Sequence, residues 1–426
     1  MERHLHGARI YLNGSFVRAD LLIRDGMIAD ISTVIDAPRA EAVSLDGLVL
    51  FPGLTDVHVH FREPGFLYKE TVASGSAAAA HGGFTTVFTM PNLSPAPDSA
   101  ENLLPQLEAI RRDGRVRVLP YGTITVGQRG EALSDLEGLA PDVIAFTDDG
   151  RGVQDRGMMR EAMLRAKALG KTIVAHCEDN SLLRGGVIHD GAYARANGIP
   201  GICSESEWRQ VERDLALVAE TGCAYHVCHV SSKESVSLIR EAKRAGLDVT
   251  CETGPHYLTL SDADLRDEGR FKMNPPLRDA SDREALLEGL ADGTVDMIAT
   301  DHAPHSVEEK SKGLRGSLMG VVGLETAFPV LYTELVLKGR IPLSRVIDAM
   351  TEAPLRRFGL SGGRIGVGMP ADLFAVDLEK SYRIDPSRFL SMGRATPFEG
   401  MHVFGEIQMT LVGGKTVYAA EKLRND

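Results

Sequence analysis

The sequence predicts an α/β protein: a (β/α)8 TIM barrel with a small β-sandwich domain formed from both termini. Short apolar or alternating runs recur eight times between residues 54 and 301, with helical patterns between them. No Gly-rich nucleotide fingerprint follows the first run, so closure into a barrel suits the repeats better than the alternative, an open doubly wound sheet. Both ends of the chain read instead as short strands and tight turns.

Residues 4–50 give strands at 8–13, 16–23, 28–31 and 42–44, with hairpin signals at Asn13-Gly14, Asp25-Gly26 and Asp46-Gly47. Barrel strands follow at 54–60, 84–90, 116–122, 143–149, 171–177, 223–230, 247–252 and 295–301. Between them, 205–221 places Trp208, Val211, Leu215 and Val218 on one helical face, and 233–244 does the same with Val236, Ile239 and Ala242. After the barrel, 363–380 and 406–418 alternate again around Gly366, Gly368 and Gly413-Gly414. Neither β-rich end is large enough alone for a good core, so the two are expected to pair rather than hang as separate appendages. The domains expected are a composite sandwich over 1–51 and 362–426 and a barrel over 52–361.

The 426 residues are 43% hydrophobic and 25% charged, ordinary globular usage that excludes disordered and low-complexity classes. Asp and Glu outnumber Lys and Arg by 59 to 47, a net charge of −12 that repels nucleic-acid backbones and anionic membranes. Five cysteines without Cys-x2-Cys spacing suit a reducing compartment. With no apolar signal segment and no run of about 18 apolar residues, a cytoplasmic location is expected.

The sharpest chemical signal is Asp56-Val57-His58-Val59-His60, which ends the first barrel strand. Residues i and i+2 of a strand share a face, so His58 and His60 project together into the barrel mouth and can share a metal. Other strands end in Asp148 or Asp149, in His176, in His229 with His226 as the competing core histidine, and in Asp301. Four His and two Asp at strand ends of one barrel point to a metal centre. Nitrogen and carboxylate donors without thiolate favour zinc or a similar ion, and six of them exceed the three that one catalytic zinc uses, so two metals are expected. Alternation turns Cys177 and Cys228 into the barrel wall.

With 52–65 (Pro-Gly-Leu-Thr-Asp-Val-His-Val-His-Phe-Arg-Glu-Pro-Gly), Gly82-Gly83-Phe84, Met90-Pro91-Asn92, Ala175-His176-Cys177-Glu178, 272–278 and 299–305, the chain resembles the cyclic amidohydrolases, most closely the dihydroorotases of bacterial class I type. The resemblance implies that His58 and His60 hold one zinc with Asp149 and Asp301, and His176 and His229 a second. Asp149, rather than Asp148, and a hydroxide bridge the two. It further implies hydroxide attack on a cyclic amide, with Asp301 as general acid and base, closing N-carbamoyl-L-aspartate to (S)-dihydroorotate for pyrimidine synthesis. Residues 141–150 hold no lysine, which sets the chain with aspartate-bridged relatives rather than with hydantoinases. Arg62 suits the substrate carboxylate as a bidentate fork, a surface salt bridge being its alternative. His60, Phe61, Asn92, Asn274, His305, Met319 and Gly320 are the other implied substrate contacts. Glu252-Thr253-Gly254-Pro255-His256-Tyr257 is closer to allantoinases and hydantoinases, which stand as the alternative; a non-catalytic scaffold for a transcarbamoylase is the other. A small-molecule substrate, a homodimer and contact with an aspartate transcarbamoylase are the partners expected. Residues 306–317 read as a solvated loop, with a lid as the alternative.

Overall fold

The computed structural model describes residues 2–424. Eight parallel segments close a ring. Leu54–Val59 pairs with Phe84–Thr89, which pairs with Arg117–Pro120. Ile173–Ala175, Tyr225–Val227, Val249–Thr253 and Met297–Ile298 follow side by side. Gly122 and Ile173 both bridge to Phe146, and Val59 bridges to His302, which shuts the barrel. The fold class read from the sequence is borne out.

The fourth segment is only a bridge at Phe146 rather than a regular strand over 143–149. Pro141 precedes it and Asp148-Asp149-Gly150 turns the chain directly after, which leaves little length for a ladder. The helices match their periodicity. Glu205–Thr221 buries Val211, Leu215 and Val218, and Lys233–Arg244 buries Val236, Ile239 and Ala242.

The two ends meet in a six-stranded sheet, ordered Lys415–Ala419, His402–Val412, Leu373–Arg383, Val49–Pro52, Arg9–Leu12 and Ser15–Arg18. A second sheet comes from the amino-terminal part alone: Met27–Ser32, Asp20–Arg24, Glu2–His6 and Glu41–Ser44. Leu5, Ile10, Leu21, Leu50, Leu373 and Met409 fill the space between the sheets. Alternation sends Phe51, Phe374 and Val376 from the other face of the larger sheet onto the barrel, against Phe328.

Asn13-Gly14 and Asp25-Gly26 turn hairpins with both residues left-handed, as a type I′ turn demands. Asp46-Gly47 does not. The strands it separates enter different sheets, Glu41–Ser44 beside Glu2–His6 and Val49–Pro52 beside Leu373–Arg383. The expected strand 16–23 is likewise split between the two sheets around Ala19. All five cysteines are free, and no described helix is long and apolar enough to cross a membrane.

Candidate active site

The strand ends bring His58, His60, Asp149, His176, His229 and Asp301 together at one mouth of the barrel. Asp149 is central. Its Oδ1 lies 3.4 Å from His58 Nε2, 3.5 Å from His229 Nε2 and 3.7 Å from His176 Nδ1, and its Oδ2 lies 3.5 Å from His60 Nε2. Asp301 Oδ1 sits 3.1 Å from His60 Nε2 and 3.4 Å from His58 Nε2. His176 Nδ1 and His229 Nε2 are 2.9 Å apart.

The neighbouring candidates separate by their hydrogen bonds. Asp148 accepts from the amides of Ile124 and Thr125 and from the Thr125 hydroxyl, so it braces the turn and leaves Asp149 to face the cavity. His226 donates or accepts at Thr250 and pairs with Glu252, beneath the cluster rather than in it.

Backbone geometry is strained where the chemistry is. Arg62, His229 and Asp301 have φ of 59°, 30° and 46°. Each such residue costs about 1–3 kcal/mol and persists only where the surroundings enforce it. At Asp301, the flanking Thr300 amide donates to buried Asp56, and the His302 amide to Thr300 Oγ1. The first bond, with the His60 amide on the His302 carbonyl at 2.8 Å, ties the last barrel strand to the first, while the second fixes the local turn around Asp301.

Three carboxylates went unread in the sequence. Glu252 accepts from His58 Nδ1 at 2.7 Å and contacts His226 Nε2 at 3.0 Å. Glu178 lies 3.5 Å from His176 Nε2. Glu70, fully buried, faces His302 Nε2 and bonds Ser391 and Ser74. The signal for Glu252 and Glu178 was their place at strand ends beside histidines, where a ligating imidazole needs a partner for its other nitrogen.

Electrostatics favour a cation here. Burial opposes charge on His58, but Asp149, Asp301 and Glu252 outweigh it and push the imidazole well above its ordinary range. Burial raises Asp149, yet His58 and the other imidazoles hold it well below the usual carboxylate range. His60 goes the other way, depressed by burial and by Arg62. His58 Nε2 and Asp149 Oδ1 are buried without a hydrogen-bond partner. Donor atoms of His58, His60 and Asp149 lie within 4.8 Å of one another, as do those of Asp149, His176 and His229. Orphaned nitrogen and oxygen donors in two triads sharing one carboxylate fit divalent metal.

A cavity of about 240 Å³ opens over the cluster, lined by His60, Arg62, Asn92, Asp149, His176, His229, Asn274, Asp301, His305, Met319 and Gly320 among others. Phe61 departs from expectation: its ring is buried in the main core, against Gly75, and lines no part of this cavity. Cys228, expected in the barrel wall, instead has its Sγ within 4.8 Å of the His58 and Glu252 donor atoms. The left-handed His229 next to it interrupts the alternation that expectation assumed. Residues 306–317 are only partly solvated: they form the short helices Val307–Lys310 and Gly313–Gly316, with Leu314, Lys310 and Ser317 buried while Val307, Glu308, Ser311, Lys312 and Arg315 are exposed, and Lys69 and Tyr68 bind Glu309.

Residues 47–235 match a family model described as dihydro-orotase-like, and 209–418 one described as an amidohydrolase family. A dihydroorotase of Bacillus cytotoxicus is 50% identical over 415 residues, covering 96% of this chain and 97% of its own. One from Geobacillus thermodenitrificans is 51% identical over 410 residues, covering 95% and 96%. Among solved structures, an L-hydantoinase (dihydropyrimidinase) from Arthrobacter aurescens superposes with a TM-score of 0.88 at 28% identity, covering 98% of this chain and 96% of its own. A D-hydantoinase (dihydropyrimidinase) from Thermus sp. gives 0.85 at 26%, with the same coverage.

Proposed function

The chain belongs to the dihydroorotases of the metal-dependent amidohydrolases, and from that premise we propose that it interconverts N-carbamoyl-L-aspartate and (S)-dihydroorotate, the ring-closing step of pyrimidine synthesis. The observation that carries the choice of substrate is Arg62. It lines the cavity beside the six metal-type donors, and among the described residues no carboxylate is paired with it. Its Nε only reaches the Pro304 carbonyl, at 3.4 Å. Dihydroorotate brings the ring carboxylate that such a fork would bind, whereas hydantoin and allantoin bring none.

In this reading His58, His60, Asp149 and Asp301 would hold one zinc ion, and His176, His229 and the shared Asp149 a second. When bound, the metals act as Lewis acids that lower the pKa of water and polarise the ring carbonyl. The protein's own residues do the rest. Asp301 stays ionised because His58 and His60 outweigh its burial, so it can take the proton of the attacking water and pass it to the departing ring nitrogen. In the closing direction it returns that proton. Asn92 Oδ1 and Asn274 Oδ1 are buried without partners and can accept from ring N–H groups. His305, fixed on the Met319 carbonyl, lines the cavity together with Arg62.

The reading extends to a barrel over 52–361, a composite sandwich over 1–51 and 362–426, a cytoplasmic homodimer and contact with an aspartate transcarbamoylase. The deciding assay offers purified protein dihydroorotate, N-carbamoyl-aspartate, hydantoin and allantoin, with metal content measured in parallel. We expect about two zinc equivalents, turnover of the first two compounds, and a roughly 10- to 100-fold loss of kcat/KM in Arg62→Ala, the size of one lost charged hydrogen bond. Preferred turnover of hydantoin or allantoin would sink the reading.

A further inference from the structure

Lys310 is a buried lysine without a carboxylate. It is 7% exposed, and among the described residues no Asp or Glu pairs with it. Its Nζ instead donates to two backbone carbonyls, Lys272 O at 2.9 Å and Leu318 O at 2.7 Å. These carbonyls lie on the two segments that supply facing residues of the cavity lining, Asn274 on one and Met319-Gly320 on the other. Lys272 stands two residues before Asn274, and Leu318 directly before Met319-Gly320. The segments are also stitched to each other, since the Gly320 amide donates to the same Lys272 carbonyl at 3.1 Å. Gly269 makes room for this junction: a Cβ there would meet the Lys310 carbonyl oxygen at 2.1 Å.

Burying an ammonium without a counter-ion is costly, and burial followed by Lys272 pushes the Lys310 pKa down to about 7. Ammonium and neutral amine alike keep enough N–H groups for both carbonyls. A methionine of similar length would fill the space without that cost, so the nitrogen is explained by its bonds rather than by packing.

We propose that Lys310 is a positioning residue that sets the width of the substrate cavity by tying the Asn274 wall to the Met319-Gly320 wall. The inference rests on the proposed reading of the cavity as the ring-binding site. Lys310 touches neither the metal-type donors nor the cavity itself, so its loss acts on binding of the ring more than on the chemical step.

The test is steady-state kinetics of Lys310→Met in both directions, with metal content and amide hydrogen exchange of the 311–321 segment. KM should rise about tenfold, as expected for one lost charged hydrogen bond, while kcat falls far less, metal content holds and the Gly320 amide exchanges faster. Lys310→Gln, which keeps two N–H donors on a shorter stem, should give an intermediate KM. Lys312→Met, an exposed neighbour in the same loop, should match wild type. An unchanged KM in Lys310→Met, or a fall in kcat together with loss of metal, overturns the proposal. Should Lys310→Met not fold, Lys310→Gln decides alone: a KM at the wild-type level overturns it. Wild type that opens hydantoin and not dihydroorotate would sink the dihydroorotase reading, while the KM split, measured on hydantoin, would still judge Lys310.

Discussion

His305 makes two unlike contacts at once. Its Nε2–H donates to Met319 O at 2.7 Å, which leaves Nδ1 to accept from the Lys69 ammonium at 3.1 Å. Burial, then the charges of Arg62 and Lys69, push its pKa down to about 3. A folded pKa below the unfolded value of about 6.5 means that its contribution to stability is complete above pH 6.5 and is lost as pH falls through about 3. Wild-type KM should therefore show no break from His305 between pH 5 and 8. Lys69→Met removes both a donor and a positive charge, and should move the imidazole pKa upward, read by NMR titration of the ring. A wild-type ring that titrates near 6.5 would contradict the assignment. At this scale the sequence was legible wherever a residue's chemistry was enough. His58, His60 and Arg62 declare themselves through strand position and type. Phe61 was expected at the substrate only from the resemblance; its ring turns into the core against Gly75, the side opposite His60 that strand alternation gives.

Gly82 shows what an element demands of its neighbours. It caps the helix Val72–His81, and its amide donates to Ala78 O and Ala80 O. A Cβ at Gly82 would meet the backbone oxygen of Leu324 at 2.1 Å, so the helix end and the segment after the last barrel strand touch main chain to main chain. Gly82→Ala should lower the unfolding free energy by about 1–3 kcal/mol, the usual cost of overpacking, measured by denaturant titration. A variant as stable as wild type would show that this contact yields. The pair Gly82-Gly83 was visible as a motif, but its reason was not, because Leu324 lies more than 200 residues away in sequence. The fourth barrel segment taught the same lesson. Its apolar run was legible, while its reduction to one bridge followed from the strands on either side.

The molecule as a whole is joined by the aromatic face between the six-stranded sheet and the barrel. Phe51 is fully buried there, stacked on Phe374 with centroids 5.3 Å apart and against Phe328 at 5.9 Å. Phe51→Ala should cost about 3–5 kcal/mol, and calorimetry should show one lowered transition for the sheet and barrel together. A separate early transition of the sandwich would refute that coupling. The sequence by itself determined the eight-fold repeat, the use of both ends in a sandwich, and the six donors at strand ends, because periodicity and strand-end chemistry are local properties. Only the tertiary structure decided that Asp149 sits between four imidazoles, that Glu252 and Glu178 stand behind His58 and His176, and that residues 306–317 pack down through Lys310 and Leu314. The physical reason is that most of these contacts join residues tens to hundreds of positions apart, and even the near pair of His176 and Glu178 depends on how the chain turns as it leaves its strand. Their energies depend on distance and burial, which exist only once the barrel has closed.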